Sequence, residues 1–313
     1  MLPSEELQAQ ALRDGGGHRY DFRPMLSTVA SILRSADWAI CHQETPISDN
    51  DRGLSGYPDF NAPHELAAAE RWAGYDACDT ASNHTVDLGA AGVTATLDAL
   101  DAVHIAHTGS ARSPAEAAKP AIYDVKGVKV GHIAYTYGLN GNADPHPWTV
   151  NLIDIARIKA AARELKVAGA DIVVVSVHAG IELDQSPSAY QVQIDDEIMS
   201  SPDVDLIVGA HAHVVQPIRR LADGRWIVYG VGNLLAQQAV PSNDPTPPHR
   251  DGVIVEATIS RHNGTYRVSR MGYVPTFVDA PSDKVELAPP FSRRRTVTAL
   301  TAVRAPLVDL TPR

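Results

Sequence analysis

The chain has 313 residues, 44% hydrophobic and 20% charged, with 27 Lys plus Arg against 37 Asp plus Glu and a formal net charge of −10. This is a globular composition, neither disordered nor fibrous, and no run of about 20 apolar residues is present to span a bilayer. The acidic balance disfavours a nucleic-acid binder; holding a polyanion would require a local basic patch or metal ions.

At about 150 residues per domain, the length suits two domains or one large α/β domain. The opening stretch MLPSEELQAQALRDGGG has no signal-peptide core and reads as an amphipathic segment. With no strand before it, the absence of a leader says little about the intact gene product. Cys41 and Cys78 are too few for a disulfide scaffold. Both sit in apolar segments, so buried free thiols are expected, with one internal disulfide as the alternative.

In chain order, Met25, Val29, Ile32 and Leu33 predict a helix over 24–35. Residues 37–41 read as a short strand and 42–47 as the loop after it. An Ala-rich helix covers 65–73, and a strand covers 76–81, followed by Ser82-Asn83-His84. Asp87 is placed to cap a helix over 89–102. A short strand is expected at 105–107, then two strands within 121–135 turning at Gly127. Residues 139–148 form an irregular loop. Asp154 caps a helix over 155–167. The strand 171–177 is apolar on both faces, as in a covered central strand, and ends in His178.

A helix is expected over 188–199 and a second core strand over 204–208, ending in Gly209-Ala-His-Ala-His213. Another strand, 226–231, ends in Gly232-Asn233. Residues 240–250 form a Pro-rich loop, and 252–259 with 265–274 make a hairpin. Beyond 280 the pattern loses periodicity, and Arg293-Arg294-Arg295 reads as a solvated tail. The order gives a mixed αβ sandwich with its polar residues in the loops after strands, where such sheets place their sites.

His211 and His213 at i and i+2 are the strongest local signal, joined by His178 after another core strand. Three imidazoles can surround one cation, a reading favoured here over ordinary hydrogen-bonded histidines. Asn83 offers a hard carbonyl oxygen, and the adjacent His84 can face substrate; alone, the pair could equally be a turn. Glu44, grouped with His42, could bridge two cations; without the other clusters it would read as a surface acid before Pro46. Mixed His, Asn and carboxylate donors suit Mn²⁺, Zn²⁺ or Fe, one or two ions, and such sites activate water and polarise P=O or C=O groups.

Five ordered stretches carry a family resemblance: AICHQETPI at 39–47, ASNHTVDLGAAG at 81–92, VVSVHAGIELDQSPSAYQ at 174–191, DLIVGAHAHVVQP at 205–217 and VYGVGNLL at 228–235. The sequence resembles the capsule-synthesis CapA family, also called the poly-γ-glutamate biosynthesis PgsA/CapA proteins, over about residues 20–260. That family is similar in fold to the calcineurin-like metallophosphoesterases. The resemblance implies an α/β fold, a four-layer metallophosphoesterase-like αββα sandwich. It would be a single domain over 1–280, lacking its usual first strand, with an irregular extension over 281–313.

By position, the resemblance implies that Asn83, His178 and His211 hold one cation, that His213 serves a second, and that Glu44 bridges or ligates. His84 would protonate a leaving group or stabilise the developing negative charge, oriented by Asp87. Glu182 is an acid near the site with a binding or acid/base role in catalysis, and His42 and Asn233 are expected to touch substrate. Two departures stand out. The Gly-Asp segment whose Asp usually binds metal is absent upstream of Glu44, and the usual Asn-Leu-Glu is here His42-Gln43-Glu44, so that His42 is either an added ligand or a partner behind the ligands.

The function expected is a metal-dependent hydrolase acting on a phosphoester or γ-glutamyl amide bond in capsule or poly-γ-glutamate metabolism. The alternative is a non-catalytic polymer-binding or assembly factor. Expected partners are an anionic polymer or a small phosphoester or amide substrate, together with capsule-synthesis proteins, and no nucleic acid. The resemblance suggests the cell envelope or exterior if an upstream segment is missing.

Overall fold

The computed structural model describes residues 1–237, 246–280 and 282–312. Helices α1 (Glu5–Asp14) and α2 (Arg23–Leu33) lead into strand β1 (Ile40–His42). Then follow α3 (Glu65–Ala73), β2 (Ala77–Asp79), α4 (Gly89–Ala102), β3 (Ala106–Thr108), α5 (Pro114–Ala117), β4 (Ile122–Val125), β5 (Val128–Thr136), α6 (Ile155–Val167), β6 (Ile172–His178) and α7 (Ala189–Met199). The rest comprises β7 (Leu206–Ala210), β8 (Ile218–Arg220), β9 (Trp226–Val228), β10 (Asp251–His262), β11 (Thr265–Asp279), β12 (Lys284–Leu287), α8 (Pro290–Leu300) and β13 (Leu307–Asp309).

Among the described residues the strands form three sheets. β1, β2 and β3 lie parallel in that order. The largest sheet has the order β4-β5-β6-β7-β9-β8, with a parallel centre and antiparallel edge strands. The third is the β10–β11 hairpin extended by β12 and β13.

Period-two alternation along β6 explains how the layers meet. Val173, Val175 and Val177 face α6 and α7, packing with Ile158, Leu165 and Ile198. Ile172 and Val174 face the other way, against Val253, Met271 and Tyr273 of the hairpin. On the far side, α1–α3 cover β1 and β2 with Leu7, Phe22, Leu26 and Leu66. The result is helices, sheet, sheet, helices: the four-layer α/β sandwich. Each fully buried Val, Leu or Ile contributes about 1.5–3 kcal/mol, so the double-sided burial of β6 anchors the centre. His178 continues the inward-facing set of β6, which aims it between the sheets.

Several expected boundaries shift. The first strand starts at Ile40, not at 37, and the strand expected at 204–208 runs over Leu206–Ala210. The helix α4 is where it was expected, but its N-cap is Leu88 with no side-chain cap; Asp87 is engaged elsewhere. Asp154 and Ser188 do cap α6 and α7.

Residues 282–312 carry regular elements: β12, α8 and β13 all pack onto β11 or beside it. Arg295 is no solvated tail residue. Its guanidinium bonds both carboxylate oxygens of the fully buried Asp251, at 2.5 and 2.8 Å. The hairpin is longer than expected on both arms. Of the Pro-rich loop expected at 240–250, residues 240–245 lie outside the described residues, and Pro248–Arg250 is one 3₁₀ turn.

Cys41 and Cys78 are register partners on β1 and β2, with Cα atoms 4.4 Å apart, and form a disulfide. This corrects the expectation of free thiols. Parallel pairing places both side chains on one face, which the sequence spacing could not reveal.

Candidate metal centre

The site lies where strands of two sheets end side by side. β1 supplies His42 and, just beyond it, Glu44. The turn after β2 supplies Asn83 and His84. β6 supplies His178, and the loop after β7 supplies His211 and His213.

Local backbone features hold these groups. Gly209 lets β7 pass close to the following chain; a Cβ there would meet the Tyr229 carbonyl oxygen at 2.0 Å. His211 and His213 both have positive φ, 91° and 55°. For a residue with a side chain this is uncommon and strained, and such strain concentrates at functional positions. Glu44 is fixed by its own backbone: its N–H donates to the Met1 oxygen at 3.2 Å, and its carbonyl accepts from Ser82 Oγ at 2.6 Å.

The other four expected ligands lie around buried Glu44. Its Oε1 lies 3.5 Å from His213 Nε2 and 3.8 Å from His178 Nε2. His178 Nε2 is 2.7 Å from Asn83 Oδ1. The rings of His178 and His211 have centroids 4.8 Å apart. One potential ligand atom each from Glu44, His211 and His213 falls within a 4.8 Å set, and the same is true of His42, Glu44 and His178. Glu44 belongs to both groups and stands between them.

Electrostatics suits cation binding. Burial, reinforced by the imidazoles around it, pushes the His178 pKa well below the usual value. Burial likewise takes His211 down to about 4, against the pull of Glu44. Both rings are therefore neutral at pH 7 with lone pairs to offer. Burial opposes ionisation of Glu44, but His213, His42 and other neighbours outweigh it and hold the carboxyl below its usual pKa. Among the described residues, Glu44 Oε1 and the Nδ1 atoms of His178 and His211 are buried without a hydrogen-bond partner. Unsatisfied polar atoms in such numbers are costly in one place, and a cation shared among these side chains would satisfy the carboxylate.

His84 has a carboxylate partner outside this ligand group. Its Nδ1 donates to Asp87 Oδ2 at 2.8 Å, and Phe60 lies edge-on at 4.7 Å. Burial works against a charge on His84. The Asp87 hydrogen bond and charge, with Glu44 and Glu182, overcome that and raise its pKa. Glu182 itself is exposed at the rim, acting on His84 through its charge.

Two expected substrate contacts are placed differently. Asn233 sits behind His213: its Oδ1 accepts from His213 Nδ1 at 2.9 Å, and its Nδ2 donates to the His249 oxygen at 2.8 Å. That arrangement fixes the ring tautomer and leaves His213 Nε2 facing Glu44. His42 is turned inward, its ring stacked on His178 at 4.8 Å and its Nδ1 2.5 Å from Asp79 Oδ1.

Three neighbours escaped the sequence reading. Asp79 ends β2 opposite His42. Tyr137 lies just past β5, its ring 4.6 Å from that of His211. Asn140 accepts from Asn83 Nδ2 at 3.0 Å, which turns the Asn83 oxygen toward His178. The loop after β5 ends beside the same sheet edge as the recognised loops, and that position was the available signal.

From the site a cavity of about 840 Å³ runs between the sheets, bounded by β1 and β10 and floored by Val174 and Val208.

The family model described as "Bacterial capsule synthesis protein PGA_cap" matches residues 2–238. The chain belongs to this capsule-synthesis family. Family relatives include the capsule biosynthesis protein CapA of Bacillus anthracis, 26% identical over 79% of this chain and 60% of that protein. The PGA biosynthesis protein CapA of Bacillus subtilis strain 168 is 28% identical over 76% of this chain and 62% of its own length. The chain thus spans about three-fifths of the curated relatives it matches. Among solved structures, the calcineurin-like phosphoesterase YfkN from Bacillus subtilis matches at 16% identity with a TM-score of 0.47, over 75% of this chain and 72% of that one. The NAD nucleotidase of Haemophilus influenzae matches at 14% identity and TM-score 0.45, over 79% and 49%.

Proposed function

We propose that this family member is a metal-dependent hydrolase acting on a phosphoester or γ-glutamyl amide bond in capsule or poly-γ-glutamate metabolism. The observation that carries the reading is the convergence of Glu44, Asn83, His178, His211 and His213 beside a separate His84–Asp87 pair. The names of the Bacillus relatives support the polymer context.

The donor set fits divalent Mn, Zn or Fe. Asn83, His178 and His211 would hold one ion and His213 a second, with Glu44 between. When bound, such a cation polarises a P=O or C=O oxygen and makes a neighbouring water more acidic. The chain's own groups supply the rest. His84, whose pKa the Asp87 hydrogen bond and charge raise against burial, would supply a proton from Nε2 to the departing oxygen or nitrogen. Asn140 and Asn233 keep Asn83 and His213 aimed inward. The cavity beside the cluster has room for an extended substrate. The Cys41–Cys78 disulfide supports an oxidising compartment, such as the envelope or exterior.

The test is metal analysis of protein purified without chelator, together with turnover of an aryl phosphoester and of γ-glutamyl oligomers. Stoichiometric metal with chelator-sensitive turnover is expected. Metal-free protein that still binds polyglutamate would overturn the reading in favour of an assembly factor.

A further inference from the structure

His42 and Asp79 form a unit that the functional reading does not yet use. They are register partners on the parallel strands β1 and β2, so their side chains leave the sheet on the same face. Asp79 Oδ1 lies 2.5 Å from His42 Nδ1. Asp79 is buried, and it is held by Ser176 as well as by His42. A carboxylate at Nδ1 sets the ring tautomer: Nδ1 carries the hydrogen and Nε2 keeps its lone pair.

His42 Nε2 is buried and makes no hydrogen bond among the described residues. An ordinary buried His–Asp pair would turn its second nitrogen to solvent or to a polar group, because leaving it unmade costs about 1–3 kcal/mol. Here the ring is instead laid on His178, with planes 24° apart. His42, Glu44 and His178 each bring one ligand atom within 4.8 Å of the others.

We infer that His42 is a direct metal ligand through Nε2, sharing a cation with Glu44 and His178, and that Asp79 is the positioning carboxylate behind it. The inference rests on the metal-site reading above and adds a ligand to it. Carboxylate–imidazole–metal triads of this kind fix ring orientation and strengthen the donor. The chemical consequence is selectivity. Where the resembled pattern carries an Asn, this chain supplies an imidazole, so the site gains nitrogen donation. That favours Zn²⁺, Fe²⁺ or Co²⁺ over Mn²⁺ or Mg²⁺, which prefer oxygen.

Metal affinity and the Co²⁺ visible spectrum test this without any activity assay. The parent is compared with His42→Ala, His42→Asn, Asp79→Asn and, as a control at the other ligands, His211→Ala. Zn²⁺ affinity is read by competition with a chromophoric chelator. His42→Ala should weaken Zn²⁺ binding by at least 10-fold and alter the Co²⁺ spectrum. Asp79→Asn should weaken it by about 10–100-fold, the usual scale for losing the group behind a metal-bound imidazole. His42→Asn should narrow the preference for Zn²⁺ over Mn²⁺, and it decides the question if the Ala variant does not fold. Unchanged Zn²⁺ affinity and spectrum in folded His42 variants, with loss in His211→Ala, would overturn His42 as a ligand and leave the wider metal reading standing. A parent that binds no metal would overturn both.

Discussion

Asn233 Oδ1, in the segment after β9, accepts from His213 Nδ1 at 2.9 Å, 20 residues apart along the chain. The contact makes Asn233 a support for His213, a proposed ligand. Replacing it with Leu or Ala frees the His213 ring to rotate and to change tautomer. Metal affinity should then fall by about 10–100-fold with the fold retained. Chelator competition on the purified variant checks this, and an unchanged dissociation constant in a folded protein would count against the tautomer lock.

The C-terminal segment is tied to the hairpin through charge. Asp251 is fully buried and accepts from Arg295 and from Ser292 Oγ at 2.6 Å. Arg295→Ala would strand that carboxylate without its cation. The expected loss of stability is about 3–5 kcal/mol by denaturant titration. Arg295→Lys should recover only part of this, because an ammonium cannot reproduce the forked contact. A loss under about 1 kcal/mol would mean that water or Ser292 alone satisfies Asp251.

Asp195 offers a pH test away from the metal centre. Burial, with the charge of Asp196, raises its pKa to about 8 against the pull of Arg219. The folded-state pKa lies above the unfolded one, so the folded protein binds the proton more tightly. This group's contribution is therefore fully present in acid and is lost as pH rises through the window from about 4 to 8. Asp195→Asn is neutral throughout and should match the parent near pH 4. At pH 8 it should be more stable by about 2–5 kcal/mol. Melts of both proteins across that range check the sign, and parallel curves would show that Asp195 is ionised in the native protein.

Much of this architecture was legible because its longest elements are strongly patterned. The helix α6 begins after Asp154 and β6 ends at His178 as the apolar periodicity indicates. Strands of three residues carry too little pattern to locate by alternation, which is why β1, β2 and β3 shifted by one to three positions. The candidate ligand cluster was legible as residue types after strand ends. What sat behind the ligands was not. Asp79, Asn140 and Asn233 meet their partners 37, 57 and 20 residues away in sequence, and only the pairing of strands brings them together. Asp87 shows the same limit: its spacing suited a helix cap, but the folded chain gives it His84 and the Phe60 N–H instead.

Neighbouring residues at the centre should separate two roles. His84 lies beside Asn83 in sequence, yet their side chains serve different partners: Asn83 Oδ1 meets His178 at 2.7 Å, and His84 Nδ1 meets Asp87 at 2.8 Å. His84→Ala should keep nearly full metal content and slow hydrolysis by about 10²-fold or more, the scale of a lost proton-transfer group. Asn83→Ala should lower metal content and rate together. The pH dependence carries a further sign. Asp87 raises the His84 pKa, so the protonated, proton-donating form persists to higher pH than an unperturbed imidazole would. In the parent, the alkaline limb of the rate profile should therefore lie above the ordinary histidine range, and Asp87→Asn should draw it back to lower pH. Metal analysis and pH–rate profiles on the same samples decide the matter. A folded His84→Ala protein that turns over a proven substrate at the parental rate would remove His84 from the chemistry. Equal metal loss in both variants would mean that the two side chains share one structural role.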